Sequence, residues 1–224
     1  MPSLVRAKIC GLTRREDVLA ADAAGAHYLG VILSAGFGRS VRPADARALL
    51  TDTRALRVAV LVDEPVDAAA SAAHALGADI IQLHGDEPPE MLEALRTRGA
   101  WKLWKAVRAR SVEDVDQAVQ LYGQLVEGFL IEGWNPGPLG VGGARVTLDP
   151  ARVRALVAPP TTFVLAGGLT PDTVADAVRS FRPDVVDVSS GVERALGEKD
   201  HEKVSGFIDA ARDAAVVSDE GAPK

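Results

Sequence analysis

Short apolar runs alternate with amphipathic, alanine-rich segments along almost the whole chain. The apolar runs are nearly continuous in Val, Ile and Leu, which is typical of parallel strands that are buried on both faces. The pattern predicts strands at 5–10, 28–33, 57–62, 80–83, 103–107, 128–132, 162–166 and 185–188. It predicts helices after them at 14–24, 43–51, 66–76, 88–98, 112–122, 149–156, 170–181 and 201–214. Every predicted helix thus follows a predicted strand.

This repeated strand–helix unit favours a single (β/α)8 TIM barrel, an α/β fold whose strands close into a ring. A doubly wound open sheet is the competing arrangement. Its dinucleotide-binding version is weakened because no Gly-x-Gly-x-x-Gly motif follows the first strand. The 224 residues suit one barrel. We predict a catalytic domain over 1–215 and a disordered tail over 216–224.

Composition excludes several classes of protein. The net charge is −6, and no basic stripe with interleaved aromatic residues indicates a nucleic-acid partner. The N-terminus lacks the apolar core of a signal peptide, and no apolar run reaches the roughly 18–20 residues of a membrane span. One cysteine rules out an internal disulfide and suits a reducing compartment. We therefore expect a cytoplasmic protein with no membrane or nucleic-acid partner.

Polar residues and glycines stand where predicted strands end. In a barrel, these positions meet on the face that carries the active site. We predict site residues at Cys10, Arg39, Gln82, His84, Glu132, Gly167, Gly168, Ser189, Ser190 and Gly191. So many polar groups and glycines on one rim exceed what ordinary loop chemistry requires.

Cys10 lies between the first strand and the first helix. A lone cysteine is often a small buried hydrophobe. At a helix N-terminus, however, the thiol is acidified and serves as a base or nucleophile. Thr13 and Glu16 have the spacing of a capping box, which predicts the start of that helix. Position alone leaves both interpretations of Cys10 open.

The loops after the seventh and eighth strands predict a phosphate site. Gly167 and Gly168 separate an apolar strand from a helix that begins near Pro171. Gly191 ends a Ser-Ser-Gly turn after the last strand. Glycines let backbone amides approach an anion closely, and these two loops are the habitual phosphate site of the barrel.

Five stretches resemble a known family. They lie at 8–13 (Lys-Ile-Cys-Gly-Leu-Thr), 39–43 (Arg-Ser-Val-Arg-Pro), 82–85 (Gln-Leu-His-Gly), 165–169 (Leu-Ala-Gly-Gly-Leu) and 186–193 (Val-Asp-Val-Ser-Ser-Gly-Val-Glu). Over nearly its whole length, the chain resembles the phosphoribosylanthranilate isomerases of tryptophan biosynthesis. The first and last stretches are quite specific for that family.

The resemblance implies a (β/α)8 barrel and an Amadori rearrangement of N-(5-phosphoribosyl)anthranilate without metal or organic cofactor. It implies that Cys10 is the general base and that Arg39 binds the anthranilate carboxylate. Two carboxyl or thiol groups suffice for this chemistry, one to protonate the ring oxygen and one to remove the proton from C2. The expected partner is a phosphorylated sugar-amine, and we expect a monomer or homodimer.

Two segments depart from the family pattern. The family acid is an aspartate at the end of the sixth strand, where this chain has Glu132, about one methylene longer. The usual Gly-Gly-Ser/Thr-Gly segment reads Gly-Gly-Ala-Arg at 142–145. The loop at 133–140 is either a glycine-proline surface loop or a lid over the sugar, with Arg145 reaching the phosphate or a carboxylate.

The sequence is also compatible with other functions. A paralogous isomerase that acts on a different amine would explain the departures, and a catalytically silent phosphosugar-binding barrel is a third possibility. Lys8 and Lys105 invite a Schiff-base mechanism, although barrel lysines often pair with carboxylates instead. We interpret Asp187 as a loop-ordering residue. The related histidine-pathway isomerase is disfavoured, because it uses two aspartates and this first strand ends in Cys10.

Overall fold

The computed structural model describes residues 5–133 and 148–220, with side chains to 215. The strands of the main sheet are β1 (Arg6–Ile9), β2 (Tyr28–Ile32), β3 (Leu56–Leu61), β4 (Ile80–Leu83), β5 (Lys102–Ala109), β6 (Gly128–Gly133), β7 (Thr162–Leu165) and β8 (Val185–Val188). The helices are α1 (Arg15–Ala23), α2 (Pro43–Leu49), α3 (Val66–Leu76), α4 (Pro89–Arg96), α5 (Val112–Tyr122), α6 (Pro150–Leu156), α7 (Pro171–Phe181) and α8 (His201–Glu220).

The strands form a closed parallel barrel in chain order, which confirms the predicted (β/α)8 fold over the open sheet. β1 closes the ring against β8, and this register places Lys8 opposite Asp187. Every predicted strand and helix is present, with ends that differ by a few residues. The continuous apolar runs are explained by burial of the strands from both sides.

The end of α8 and the start of α1 differ from the predicted helix boundaries. Helix α8 runs to Glu220, past the predicted domain end at 215, while 221–224 of the predicted tail lie outside the described residues. The predicted capping box is wrong, because α1 has Arg14 as its N-cap without a side-chain cap. The Thr13 hydroxyl donates instead to the carbonyl of Gly197, 2.6 Å away, and Glu16 pairs with Arg14.

Two apolar cores lie on the two sides of the strands. The larger one fills the space between the strands and the surrounding helices. The inner one fills the barrel and consists of Cys10, Tyr28, Ile32, Val58, Val60, Ile80, Trp104, Ala106, Leu130, Val164, Ala166 and Val185. Tyr28 and Trp104 meet edge to face at a centroid distance of 5.1 Å. The packed inner core forms the floor beneath the carboxyl ends of the strands.

An unpredicted excursion joins β8 to α8. It consists of a short 3-10 helix (Ser190–Val192) and an antiparallel hairpin of β9 (Glu193–Ala195) and β10 (Glu198–Lys199). Leu196 and Gly197 form the turn. The hairpin carries its side chains back over the rim of the barrel, where they meet the loop after β2. No helix in the described ranges is both long and apolar enough to cross a membrane.

Candidate active site

A cavity opens at the carboxyl ends of the strands, where a barrel carries its active site. Its lining residues are Cys10, Ile32, Arg39, Val60, His84, Glu132, Ala166, Gly167, Gly168, Leu169, Asp187, Val188, Ser189, Ser190 and Gly191. Nine of the ten predicted site residues are among them. The remaining one, Gln82, is 1% exposed and lies beneath His84.

Cys10 stands at the top of the inner core, immediately after β1. Its amide donates to the carbonyl of Val188 over 2.8 Å, which ties it to β8. A Cβ on Gly30 would lie 2.9 Å from Cys10 Sγ, so the sulfur rests on the backbone of β2. Gly11 follows with a φ of +68°, and a Cβ there would lie 2.6 Å from the Arg39 side chain. The Cys-Gly pair therefore lets the thiol and the arginine share one corner.

A buried ion pair lies below the thiol. Lys8 Nζ is 2.9 Å from Asp187 Oδ1, and Lys8 is 0% exposed. Burial alone lowers the pKa of Lys8, but the Asp187 carboxylate and the Cys10 thiolate outweigh it and raise the pKa. Burial raises the pKa of Cys10, and the Lys8 ammonium opposes that increase. The charge on Lys8 is thus maintained next to the sulfur.

Arg39 is held by the hairpin. Its Nε and Nη2 donate to the two carboxylate oxygens of Glu193, each over 2.7 Å. Lys199 Nζ lies 2.9 Å from Glu193 Oε1 and donates to the carbonyl of Ser189 over 3.0 Å. The cluster carries two cations and one anion, all nearly buried. Its excess positive charge faces the cavity through the remaining guanidinium donors of Arg39.

These partners shift one another's ionisation. Burial raises the pKa of Glu193, but the hydrogen bond from Arg39 and the charge on Lys199 outweigh it and lower the pKa. Burial lowers the pKa of Lys199, and Glu193 opposes that decrease. Sequence reasoning gave neither residue a role. The only available signal was the inclusion of Glu193 in the Ser-Ser-Gly-Val-Glu stretch.

Glu132 is anchored from the opposite side of the barrel. His84 Nε2 lies 3.1 Å from Glu132 Oε1, and His84 Nδ1 lies 2.8 Å from the amide nitrogen of Gln82. An amide that donates to Nδ1 leaves the Nε2 proton directed at the carboxyl group. β4 and the residue after it therefore orient a side chain that projects from β6. Gln82 acts on the cavity through His84.

The two glycine loops lie against each other at the remaining side. Gly167 and Gly168 have φ of +94° and +65°, values that favour glycine. A Cβ on Gly191 would lie 1.8 Å from the carbonyl oxygen of Leu169. Within the described residues, the amides of Gly167 and Gly168 donate to no other protein group. These amides, with those at the start of the 3-10 helix, are suited to an anion.

The lysines considered for a Schiff base are both engaged in ion pairs. Lys105 Nζ is 3.0 Å from Glu87 Oε2 and donates to the carbonyls of Gly85 and Ala106. Its strand neighbours in register, Leu83 and Phe129, belong to the outer core, so Lys105 points away from the cavity. The segment at 134–147, which includes the departing glycine segment and Arg145, lies outside the described residues.

Comparison with known proteins identifies the family of this chain. The family model for N-(5'-phosphoribosyl)anthranilate (PRA) isomerase matches residues 7–210. The chain belongs to the PRA isomerase family. The PRA isomerase of Chromohalobacter salexigens is 40% identical over 205 residues, covering 91% of this chain and 92% of the relative. That of Pelobacter propionicus is 35% identical over 212 residues, covering 94% and 97%.

Solved structures agree with the family assignment. The crystal structure of the Thermotoga maritima enzyme superposes with a TM-score of 0.84 at 32% identity, covering 94% of this chain and 100% of that one. A PRA isomerase in complex with reduced 1-(o-carboxyphenylamino)-1-deoxyribulose 5-phosphate superposes with a TM-score of 0.77 at 31% identity, covering 94% and 100%. Membership in the family confirms the predicted isomerase activity in tryptophan biosynthesis.

Proposed function

We propose that this cavity performs the Amadori rearrangement of N-(5'-phosphoribosyl)anthranilate to 1-(2-carboxyphenylamino)-1-deoxyribulose 5-phosphate, with Cys10 as general base and Glu132 as general acid. The observation that carries the assignment is that a thiol and a carboxyl line one cavity. The cavity is also bounded by the glycine loops at one side and by Arg39 at another. This set of groups matches a sugar that carries a phosphate and an aromatic carboxylate.

In the first step, the carboxyl group of Glu132 gives its proton to the ring oxygen of the aminofuranose. The bond between C1 and the ring oxygen breaks, its electron pair goes to that oxygen, and the nitrogen lone pair forms the iminium. The hydrogen bond with His84 supports this role because it orients the acid. The glutamate thereby takes the place of the family aspartate.

In the second step, the thiolate of Cys10 removes the proton from C2. The C–H electron pair forms the C1–C2 double bond, and the iminium nitrogen becomes neutral. Ketonisation then moves a proton from the C2 hydroxyl to C1, and exchange with water returns Cys10 and Glu132 to their starting states. General acid–base groups of this kind each contribute about 10²–10⁴-fold to a rate.

The two ends of the substrate take separate anchors. The amides around Gly167, Gly168 and Gly191 bind the phosphate, since backbone N–H groups at such turns favour anions. Arg39 binds the anthranilate carboxylate through the guanidinium donors that Glu193 leaves available. With both ends fixed, C1 and C2 of the sugar lie between the acid and the base.

The proposed environment follows from the chemistry. A reduced thiol is maintained in the cytoplasm, which we propose as the location of the protein. The Thermotoga maritima relative is a dimeric enzyme. A monomer or a homodimer is proposed for this chain, and light scattering on the purified protein distinguishes the two states.

The test compares Cys10→Ala and Glu132→Gln with the wild type. Each change removes one proton-transfer group, so kcat/KM for the isomerisation is expected to fall by about 10²–10⁴-fold. Neither variant is expected to rescue growth of a tryptophan auxotroph that lacks this step. A primary isotope effect with substrate deuterated at C2 reports the base step separately.

Glu127→Gln is the matched control. Glu127 directly precedes β6, at the opposite end from Glu132, and accepts from the amide of Leu103 and from Arg96. Its loss is expected to lower stability and to leave the rate of the chemical step near that of the wild type. A folded Cys10→Ala or Glu132→Gln protein with wild-type kcat/KM would refute the role assigned to that residue.

A further inference from the structure

We propose that Lys8 is a positioning residue for the reaction, whose ammonium group, held by Asp187, stabilises the thiolate form of Cys10. The inference deepens the proposed function, because it takes Cys10 to be the base. In this proposal the Lys8–Asp187 pair beneath the thiol contributes to the reaction and not only to the stability of the barrel.

Position on the strand supports the proposal. Lys8 lies on β1, and Cys10 follows two residues later, directly after the strand, so both side chains point to the side where Cys10 joins the inner core of the barrel. A Cβ on Gly30 would lie 2.9 Å from Cys10 Sγ and 3.2 Å from Lys8 Nζ. The sulfur and the ammonium therefore rest side by side on the same bare backbone of β2.

The hydrogen bonds of Lys8 leave donors for the sulfur. An ammonium group has three donors. Among the described residues, the oxygen that Lys8 Nζ reaches is Asp187 Oδ1. Lys105 is a buried lysine of the same chain, and it contacts three carbonyl oxygens besides its carboxylate partner. Lys105 is satisfied by backbone, whereas Lys8 is turned toward a thiol.

Burying the Lys8 ammonium costs free energy, and that cost is offset where the ammonium stabilises a neighbouring negative charge. Isolated ions lose favourable hydration in a protein interior, and a packed apolar residue fills the same space without that loss. Lys8 is 0% exposed inside an otherwise largely apolar barrel. A fixed cation at this place has its largest effect on an anion that forms beside it. The thiolate of Cys10 is that anion.

Several other charged or titratable groups face the thiol from the surrounding elements. Those that line the same cavity are Asp187 on β8, Arg39 after β2, His84 after β4 and Glu132 on β6. Lys199 on β10 also acts on the thiol, and Glu193 on β9 pairs with Arg39 and Lys199. Of the groups that act on the pKa of Cys10, burial raises it most, Lys8 lowers it and Asp187 raises it. The two members of one ion pair therefore act on the thiol in opposite directions.

Because Lys8 and Asp187 act on the thiol in opposite directions, variants of the two residues distinguish an electrostatic role from a purely structural one. Cys10 is the only cysteine in the sequence, so alkylation with iodoacetamide reports this thiol alone. For Lys8→Met, the alkylation rate at pH 7 is expected to fall about tenfold, and the acid limb of kcat/KM moves to higher pH. For Asp187→Asn, alkylation accelerates and the same limb moves to lower pH.

Lys105→Met is the matched control, since it also breaks a buried pair, with Glu87, but points away from the cavity. It is expected to lower the melting temperature while leaving the alkylation profile unchanged. Shifts in the same direction for Lys8→Met and Asp187→Asn, or no shift, would overturn the proposal. Should Lys8→Met not fold, Lys8→Gln takes its place, and a folded Lys8→Gln protein that alkylates like the wild type overturns the proposal, because Asp187→Asn reports the carboxylate and not the ammonium.

The failure of this inference differs from the failure of the proposed function. If Cys10→Ala retains wild-type turnover, the thiol is not the base and the proposed function fails. If Cys10→Ala is inactive while both ion-pair variants alkylate like the wild type, the base stands and only the task assigned to Lys8 is wrong.

Discussion

The two sides of the cavity hold their reactive groups by different means. The thiol side consists of Cys10, Lys8, Asp187, Arg39, Glu193 and Lys199, and contains two buried ion-paired groups. The carboxyl side consists of Gln82, His84 and Glu132, joined by two hydrogen bonds in series. On the thiol side, fixed charges surround the Cys10 sulfur. On the carboxyl side, a chain of hydrogen bonds orients the Glu132 carboxyl group.

The difference follows from what each side must do. Burial raises the pKa of Cys10 and so disfavours the thiolate. The nearby lysine ammonium groups lower that pKa and favour the thiolate. A general acid must direct its proton at one substrate atom. The hydrogen bonds from Gln82 through His84 to Glu132 fix the orientation of the carboxyl group for that purpose. Charge is therefore expected to limit the thiol side, and geometry the carboxyl side.

On the carboxyl side, the largest effect is expected for Glu132→Asp. Shortening the side chain withdraws the carboxyl by about one methylene from a contact that measures 3.1 Å to His84 Nε2. Misplacement of about 1 Å costs on the order of 100-fold in rate, so kcat is expected to fall by about that factor even though the family acid is an aspartate. Steady-state kinetics measures it.

Glu127→Asp, directly before the strand that carries Glu132, serves as the control and should retain kcat. A Glu132→Asp enzyme as fast as the wild type would mean that the carboxyl side adapts to the shorter group, and geometry would then not limit it.

An intermediate effect is expected for Arg39→Lys on the thiol side. A lysine keeps the charge but loses the fork that now binds Glu193 through Nε and Nη2. Loss of one charge-assisted hydrogen bond corresponds to about 10–100-fold, which is expected mainly in KM. Comparison of kcat and KM measures the division.

Arg42→Lys, at an exposed arginine of the same loop, is the control and should leave both constants unchanged. If Arg39→Lys lowers kcat with KM intact, the arginine acts on the reacting atoms, and its assignment to substrate binding is wrong.

The smallest effect is expected for His84→Ala. The imidazole orients Glu132 without exchanging protons with the substrate, so kcat is expected to fall about tenfold, near the lower end for groups that assist proton transfer. The acid limb assigned to Cys10 should stay in place, because His84 belongs to the carboxyl side. A pH profile of kcat/KM measures both quantities.

His74→Ala is the control, since His74 lies on α3 against Trp101, outside the cavity. A shift of the acid limb in His84→Ala would contradict the separation of the two sides.

Much of the fold and part of the site were predictable from local pattern. Period and composition identify each strand and helix, because burial on both faces of a parallel strand leaves a continuous apolar run. The capping box predicted at Thr13 is wrong because the Thr13 hydroxyl donates to the carbonyl of Gly197, which is distant in sequence. A local pattern holds only where no distant partner competes for the same atom.

Local sequence is sufficient to predict which residues reach the rim. Parallel strands of one barrel end on one face, so a residue such as Cys10 or Glu132 that follows or ends a strand arrives there whatever the details of packing. The glycine loops were predictable for the same reason.

The contacts that hold those residues in place arise only when distant parts of the chain meet in the folded barrel. The closing register of β1 and β8 pairs Lys8 with Asp187, and the hairpin returns Glu193 and Lys199 to Arg39. Such partners come from elements far apart in the chain, and a pairing of charges across space leaves no periodic pattern in the sequence. The chain specifies its reactive groups locally, whereas their electrostatic surroundings arise from closure of the barrel.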